Sequence, residues 1–318
     1  MLETEFSAAS AASEETRAFY EKARAVYAKY SLRPTKNVDD YRATFARLLD
    51  ANSPGGKLYR SPNTRSITVP TASGGVPLRV FPSPNLTGVP TGVHLFVHGG
   101  GWIGGTADSQ DTKLERAAQA TGMTIASVEY RLAPEAPFPG PLDDCEAAAR
   151  WLIANAGKEF GSERLVISGD SAGANLALAT LLRLKDSGLH ENFRAAHLLY
   201  GVFDLSMTPS QYKSGDSILR TENLRWYYDL YVPKDVERRH PHVSPLYADL
   251  SGLPPTLLSI GTADSLFDDT LFMYCRLLKA GVRTEIQIVP GADHGFDGTP
   301  LAVARAAQER AAGFLTHA

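Results

Sequence analysis

A serine between two glycines stands at the predicted junction of a buried strand and a helix. The segment reads Gly169-Asp170-Ser171-Ala172-Gly173. An apolar run at 165–168 precedes it, and a run rich in alanine and leucine follows at 174–185. A serine in this context can occupy a sharp turn that holds its hydroxyl out of the sheet, while a side chain at either glycine would collide with the neighbouring strand or helix. The segment predicts a strand–turn–helix unit with Ser171 as a candidate nucleophile.

The rest of the chain repeats this alternation of strand and helix. Two helices are predicted first, one opening at Ser13 and one over 39–49. Helical stretches also separate most of the predicted strands, and together they indicate an α/β fold with a mostly parallel sheet and helices on both faces. Apolar runs predict these strands near residues 65–69, 76–81, 93–97, 124–128, 164–168, 195–200, 256–260 and 284–289.

A second glycine-rich segment follows the predicted strand at 93–97. It reads His98-Gly99-Gly100-Gly101-Trp102. Consecutive glycines leave backbone N–H groups free to converge on one point, which acyl transfer needs because its tetrahedral intermediate carries a negative oxygen. We assign the N–H groups of Gly100 and Gly101, together with that of Ala172, as an oxyanion hole. His98 is predicted to brace this loop through hydrogen bonds.

The same stretch contains the pattern G-x-G-x-x-G at Gly99, Gly101 and Gly104, and Glu129 ends the next predicted strand. These are the outlines of a dinucleotide fingerprint. In that fingerprint the helix begins inside the motif, so that its N-terminus meets the pyrophosphate. Here the better helix start is at 108–109, so the glycines are predicted to lie in a loop and no nucleotide cofactor is expected.

A serine nucleophile needs a base, and the base needs an acid that orients it. With this kind of turn the chain order is serine, acid, histidine. His294 is the best base, because it lies in a loop just after the apolar strand at 286–289. Asp264 follows the strand at 256–260 by a short turn and is predicted to be the acid. Three other aspartates compete: Asp268 and Asp269, which suit the N-terminus of the next helix, and Asp293, which adjoins the histidine.

Five segments of the chain match a known pattern, and they do so in order. They are His98–Trp102, Tyr130–Pro139, Gly169–Gly173, Asp264–Asp269 and His294–Phe296. Together they resemble the bacterial hormone-sensitive-lipase-like esterases of the α/β-hydrolase superfamily. The resemblance implies the α/β-hydrolase fold, and it implies Ser171, Asp264 and His294 as the catalytic triad.

Composition fits a sizeable core and argues against several kinds of partner. The chain has 318 residues, 43% of them hydrophobic, and a formal net charge of −3. That charge gives no basic surface for nucleic acid or an anionic membrane, and the most apolar helical run is too short to span a bilayer. Residues 1–5 are acidic and lack the apolar run of a secretory signal. Two cysteines without a C-x-x-C pattern, and only a weak H-x-H pattern at 240–242, predict no metal site and no disulfide framework, so a cytoplasmic location is expected.

The chain is predicted to combine one catalytic domain with two cap segments. The α/β-hydrolase domain is assigned to 56–204 and 246–318, a helical cap to 1–55, and an inserted lid to 205–245, where aromatic residues lie among charges. Two alternatives stay open: the lid aromatics form only the packing face of a lid helix, or Trp102 only supports the glycine loop. The substrate pocket is predicted to be lined by Trp102, Tyr212, Leu219, Trp226 and Phe296.

These assignments predict a serine carboxylesterase that cleaves short-to-medium acyl esters through an acyl-enzyme, with no metal or organic cofactor. A small-molecule ester is the expected partner, and the resemblance suggests a homodimer through the edge strand near 284–289. One alternative is an amidase, carbamate hydrolase or acyltransferase that uses the same triad. The other is a non-catalytic small-molecule receptor on the same fold, and the presence of His294 argues against it.

Overall fold

The structure is a computed structural model that describes residues 12–30, 34–35, 37–72, 74–84 and 88–318. The stretch 1–5, on which no secretory signal is predicted, lies outside the described residues. The strands are β1 (Arg65–Val69), β2 (Val76–Phe81), β3 (Val93–Val97), β4 (Thr124–Val128), β5 (Leu165–Asp170), β6 (Phe193–Leu199), β7 (Thr256–Gly261) and β8 (Thr284–Val289). The helices are α1 (Glu14–Tyr30), α2 (Val38–Asn52), α3 (Asp111–Thr121), α4 (Gly140–Phe160), α5 (Ala172–Lys185), α6 (Pro209–Tyr212), α7 (Thr221–Tyr231), α8 (Phe267–Lys279) and α9 (Ala302–His317).

These eight strands form one sheet in the order β1-β2-β4-β3-β5-β6-β7-β8. β2 is antiparallel to β1 and β4, and every other pair is parallel. The strands lie where the apolar runs predict them, and the predicted α/β-hydrolase fold with its mostly parallel sheet is confirmed. Because parallel strands end at one edge, the loops that follow β3, β5, β7 and β8 gather there.

Alternate residues of the central strands face two different helical layers. Val166 of β5 clusters with Phe314 and Leu315 of α9. Ile167, the next residue of the same strand, belongs to the main core together with apolar residues of α4 and α5 such as Leu176. Side chains of a strand point alternately to its two faces, so each face of the sheet is covered by its own helices.

A row of buried polar side chains crosses one face of the sheet. His94 Nε2 lies 2.5 Å from Ser168 Oγ, and His197 Nε2 lies 3.0 Å from Ser259 Oγ, which in turn donates to Gln287 Oε1 over 3.1 Å. Burial lowers the pKa of both histidines to about 3, so both rings are neutral at neutral pH. His197 lies in the predicted strand near 195–200, but the apolar runs give no sign of this polar row.

The two segments predicted as caps contact each other. The Tyr41 ring of α2 lies 5.0 Å from the Trp226 ring of α7, and Arg24 Nε of α1 donates to the Asp216 carbonyl over 2.9 Å. The division into a catalytic domain and caps stays a prediction. Across the described ranges, no helix is both long enough and apolar enough to cross a membrane.

Candidate active site

Ser171 occupies a strained turn between β5 and α5. Its φ of 56° is rare for a residue with a side chain, and its N–H donates to the Leu199 carbonyl over 2.9 Å. A Cβ at Gly169 would lie 2.3 Å from the Gly173 carbonyl oxygen, and a Cβ at Gly173 would lie 2.1 Å from that of Val97. Both glycines are therefore required by close backbone approach, as the sequence predicts for this turn.

His294 and Asp264 form a hydrogen-bonded path that ends at Ser171. The Nε2 atom of His294 lies 2.9 Å from Ser171 Oγ, and its Nδ1 atom lies 2.9 Å from Asp264 Oδ2. The other oxygen of Asp264 accepts the Leu266 N–H over 2.9 Å. The Asp264 side chain is fully buried, whereas that of His294 keeps 16% of its surface exposed. The three predicted triad residues thus lie in hydrogen-bond contact, with the serine and histidine reachable from the cavity described below.

Electrostatics favour a charged imidazole at this position. Burial lowers the pKa of His294, but the carboxylates of Asp264, Asp293 and Asp170 outweigh it and raise the pKa above its ordinary value. An imidazolium at this site is therefore stabilised by fixed negative charge. That is the form a histidine takes after it accepts a proton from serine.

The three aspartates that compete with Asp264 have other partners. Asp293 accepts from Ser217 Oγ at 2.7 Å, from the Ile218 N–H at 3.0 Å and from the His294 N–H at 2.8 Å. Asp268 and Asp269 lie in the first turn of α8, as the sequence predicts. Neither reaches the imidazole. Asp268 accepts a hydrogen bond from the N–H of Ser210, and Asp269 is buried beneath the start of residues 205–245, the predicted lid, called the inserted segment below.

The glycine loop after β3 adopts backbone conformations that need glycine. Gly100 and Gly101 have φ values of 121° and 62°, and a Cβ at Gly100 would lie 2.1 Å from the Gly104 carbonyl oxygen. Among the described residues, no protein group accepts a hydrogen bond from the N–H of Gly100, Gly101 or Ala172. These three N–H groups are consequently free to donate to a substrate oxygen near Ser171.

His98 is fully buried and contacts the loop instead of the cavity. Its Nδ1 lies 2.8 Å from the Gly99 carbonyl oxygen, and its ring stacks on Tyr130 at 4.2 Å between centroids. The Tyr130 hydroxyl donates to the His98 carbonyl over 2.8 Å. These contacts match the bracing role predicted for His98. The glycines of the G-x-G-x-x-G pattern lie well before α3, which begins at Asp111, so the helix N-terminus of a dinucleotide fingerprint does not occur here.

A cavity of about 330 Å³ opens in front of Ser171 and His294. One side is aromatic and aliphatic, and it draws residues from α1, α2 and the inserted segment. The other side is polar and includes the buried group formed by Lys113, Asp170 and Asp297. Apolar and polar lining residues include Tyr27, Tyr41, Phe45, Leu49, Leu58, Ile218, Leu219, Tyr227, Lys113, Arg116, Asp170, Tyr200, Asp297 and Gln308.

Of the five predicted pocket residues, only Leu219 lines this cavity, and the structure corrects the other four. Trp102, whose φ is 62°, is fully buried and stacks on Tyr231 at 4.5 Å between ring centroids, so its indole lies in the core. Phe296 is also fully buried, and Trp226 packs on Tyr41. Tyr212 is 54% exposed on the outside of the inserted segment, so it faces solvent.

Comparisons with known proteins agree with this geometry. A family model described as alpha/beta hydrolase fold matches residues 94–298. Ethyl acetate hydrolase of Pseudomonas putida is 33% identical over 226 residues, which cover 70% of this chain and 71% of that protein. A hyperthermophilic esterase from the archaeon Pyrobaculum calidifontis superposes with a TM-score of 0.85 at 29% identity, covering 96% of this chain and 97% of that one. An esterase from the bacterial hormone-sensitive lipase family gives a TM-score of 0.80 at 28% identity, with 96% and 98% covered.

Proposed function

The chain belongs to the α/β-hydrolase family, in its hormone-sensitive-lipase-like branch, and from that premise we propose that it is a serine carboxylesterase. The observation that carries the proposal is the hydrogen-bonded path from Ser171 through His294 to Asp264 at one wall of the cavity. Ester hydrolysis needs a nucleophile, a base and an oriented acid in this order of contact. The ethyl acetate hydrolase of Pseudomonas putida supports an ester as the substrate class.

Acylation begins with proton transfer from Ser171 Oγ to His294 Nε2, which lie 2.9 Å apart. As the proton leaves, Oγ attacks the ester carbonyl carbon and the carbonyl oxygen becomes an oxyanion. Asp264 holds the Nδ1–H of the imidazole, fixes its tautomer and stabilises the imidazolium. The imidazolium then returns the proton to the leaving alkoxide, so the alcohol departs and the acyl group stays on Ser171.

The oxyanion is stabilised by the N–H groups of Gly100, Gly101 and Ala172. Gly100 and Gly101 hold their N–H groups in left-handed backbone conformations. Donors that are fixed in advance need no reorganisation as charge develops. Removing a donor of this kind typically costs ~3–4 kcal/mol of barrier. Deacylation repeats the sequence with water: His294 takes a proton from water, hydroxide attacks the acyl carbon, and the proton finally returns to Ser171 as the acid leaves.

The cavity favours esters with short-to-medium acyl chains, of about two to eight carbons. Each methylene of an acyl chain adds roughly 0.8 kcal/mol of binding free energy, but only where it contacts an apolar wall. Tyr27, Phe45 and Leu219 supply such a wall, but the volume of the cavity is limited to about 330 Å³. The surface of the inserted segment is charged: Arg238 pairs with Asp229, for example, with 35% and 68% of their side chains exposed. Burying those charges in a lipid surface would cost desolvation energy, so long-chain triglycerides are poor substrates.

Hydrolysis of p-nitrophenyl esters from acetate to palmitate, with p-nitroacetanilide as the amide control, tests the proposal. We expect the highest kcat/KM within the two-to-eight-carbon range and little anilide cleavage. Ser171→Ala should reduce kcat by about 10⁴-fold or more without loss of folded protein. A rise of kcat/KM through palmitate with activation at a lipid surface would indicate a lipase, and preferential anilide cleavage would indicate an amidase.

Location and assembly form two further parts of the proposal. A reducing compartment, the cytoplasm, suits the two free cysteines, of which Cys145 is buried and Cys275 exposed. β8 is an edge strand of the sheet. Because edge strands can pair with a second chain, a homodimer through β8 is part of the proposal. Sedimentation velocity of the purified chain tests the second point, and a monomer at micromolar concentration would contradict it.

A further inference from the structure

A lysine lies buried beside the active-site cavity between two carboxylates. Lys113 extends from α3, and its side chain keeps only 16% of its surface exposed. Its Nζ lies 3.1 Å from Asp297 Oδ2 and 3.6 Å from Asp170 Oδ2. The same ammonium sits over the Phe96 ring at 4.8 Å from the centroid. None of the steps derived above uses this group of charges, although it lines the cavity next to Ser171.

Asp170 belongs to the serine side of the site. It immediately precedes Ser171, and its Oδ1 accepts the Gly99 N–H over 3.0 Å. Gly99 in turn adjoins Gly100, whose N–H we assign to the oxyanion hole. Asp170 therefore joins the turn of the nucleophile to the glycine loop, across the neighbouring strands β5 and β3.

Asp297 belongs to the histidine side of the site. It lies three residues after His294, and its Oδ1 accepts a hydrogen bond from the Tyr200 hydroxyl. The Tyr200 ring is 4.7 Å from the His294 ring, edge to face. Asp297 thus fixes an aromatic ring against the imidazole as well as the loop that carries it.

We propose that Lys113 is a positioning residue, whose ammonium draws the Asp170 and Asp297 carboxylates together and so sets the glycine loop, the Ser171 turn and the His294 loop relative to one another. This inference rests on the proposed function. The three segments follow three different strands, β3, β5 and β8, and Lys113 reaches them from a fourth element, α3. A misplacement of about 1 Å between such parts can cost ~10²-fold in rate.

The charge of Lys113 also bears on the imidazole through Asp170, because Asp170 contacts Lys113 and is one of the carboxylates that raise the pKa of His294. The cluster holds two carboxylates and one ammonium, a net charge of −1. Burial raises the pKa of Asp170 despite the nearby ammonium, and Lys113 with Tyr200 holds the pKa of Asp297 below its ordinary value against the effect of burial. Removing the ammonium would leave two like charges close together in a buried site, which favours proton uptake by the cluster and by His294.

Every other charged or titratable group around this site is retained in the variants below, including Arg116 and Tyr200 of the cavity lining. His294 faces Asp264 and Asp293, both retained in every variant below, and Arg24 of α1 lies 4.0 Å from Asp293. Three buried histidines surround Lys113, and they stay neutral in the assay range because burial lowers their pKa values to about 3, 4 and 3. They are His94, His98 and His197.

The test compares pH profiles of kcat/KM for p-nitrophenyl acetate from pH 5 to 9. Lys113→Met keeps the side-chain length but removes the charge, and we expect kcat/KM to fall ~10-fold or more with the acid limb moved to higher pH. Asp297→Asn removes one negative charge, so its acid limb should move to lower pH. The double variant loses one charge of each sign, and its limb should return to the wild-type position.

Lys185→Met is the matched control. Lys185 also forms an ion pair, at 2.7 Å with Asp249, but it lies at the opposite end of α5 from Ser171. We expect its profile to match that of the wild type. Thermal unfolding of each variant identifies any that do not fold. If Lys113→Met is unfolded, Lys113→Gln, which removes the same charge and keeps a polar end, tests the inference with the same expected result.

The inference is overturned if Lys113→Met matches the wild type in rate and in acid limb, because a lysine that only packs on Phe96 would behave so. It is overturned equally if the rate falls while neither single variant moves the limb. Neither outcome contradicts the proposed function, because that function is tested separately by ester hydrolysis in the wild type and its loss in Ser171→Ala. A wild type without esterase activity would overturn the proposed function instead.

Discussion

Acidification should destabilise this fold through two buried histidines. His94 and His197 have pKa values lowered to about 3 by burial, against an ordinary value of 6.5. A protonated imidazole carries two N–H groups, and each needs a hydrogen-bond acceptor. His94 Nδ1 is buried with no hydrogen-bond partner among the described residues. Between these two pKa values the unfolded chain therefore binds protons at both histidines that the folded chain does not bind. Stability is fully present above pH 6.5 and is lost as the pH falls from there towards 3.

The size of the loss follows from the two pKa values. Each pH unit between the folded and unfolded values costs ~1.4 kcal/mol per histidine. At pH 5, which is about 1.5 units below the unfolded value, each histidine costs about 2 kcal/mol and the pair about 4 kcal/mol. That is a large part of the ~5–15 kcal/mol that stabilises a typical domain.

Replacing both histidines with glutamine should remove this part of the pH dependence. Glutamine can still bond Ser168 and Ser259 but does not titrate in this range. Urea unfolding followed by tryptophan fluorescence at pH 7 and pH 5 gives the free energy of unfolding of each protein. The wild type should lose ~4 kcal/mol more than the double variant between the two pH values. Because the comparison is a difference of differences, any constant cost of the substitutions cancels.

His98, whose pKa burial lowers to about 4, stays in place in all variants and contributes equally to each. An identical loss in wild type and double variant would refute the reasoning. It would mean that the two rings are protonated in the folded protein or that other groups dominate acid unfolding.

Three further predictions concern the active site. Asp264→Asn should lower kcat by ~10³–10⁴-fold and Asp293→Asn far less, because of these two aspartates only Asp264 forms a hydrogen bond with the imidazole. Measuring kcat of the two variants side by side gives the ranking, and the reverse ranking would make Asp293 the acid. The acid limb of the wild-type kcat/KM profile should lie above the ordinary pKa of a histidine, since nearby carboxylates outweigh burial and raise the pKa of His294. Activity should therefore fall as the pH drops and the imidazole is protonated, and a flat profile from pH 5 to 8 would contradict this expectation. Leu219→Phe should reduce kcat/KM for octanoate more than for acetate, whereas Trp226→Phe, outside the cavity, should leave that ratio unchanged.

The hydrogen-bond contact of Ser171, His294 and Asp264 could be predicted because each residue is marked by its immediate neighbours in the chain. The turn at 169–173 needs glycines where the backbones of β5, α5 and β3 approach closely, and that need is visible in five consecutive residues. His294 and Asp264 each follow an apolar strand by a few residues, so the parallel sheet itself carries them to the same edge. Local pattern and topology together were sufficient for these three side chains.

The pocket could not be predicted in this way, because its walls depend on contacts between distant segments. Trp102 follows three glycines in a loop, and the sequence does not show to which side its ring turns. Its partner, Tyr231, lies in α7 far along the chain, and the stacking at 4.5 Å takes the indole out of the cavity. Tyr27 and Tyr41 belong to apolar stripes of helices, and a stripe predicts a packed face without naming what it packs against. Both tyrosines line the cavity.

The burial of charged side chains was the other feature that the sequence did not predict. Asp269 fits the first turn of a helix, where a carboxylate complements the helix dipole, and that expectation needs no burial. In the structure it is fully buried, and burial raises its pKa to about 7 despite the hydrogen bonds that favour its charged form. Asp269 accepts hydrogen bonds from the N–H groups of Phe203 and Asp204 and from the side chains of Thr208 and Gln211. Its role is thus to fix the start of the inserted segment.

The same arrangement recurs along the first half of that segment. Asp268, four residues after Asp264, accepts the Ser210 N–H, and Ser265 Oγ donates to the Leu219 carbonyl over 2.6 Å. Asp293, next to His294, accepts from Ser217 and Ile218. The loops that carry Asp264 and His294 therefore also hold the cavity wall at 218–219. We expect substitutions in this wall to affect the contact between these two side chains as well as the pocket, so a change in substrate preference there must be separated from a change in the imidazole by its pH profile.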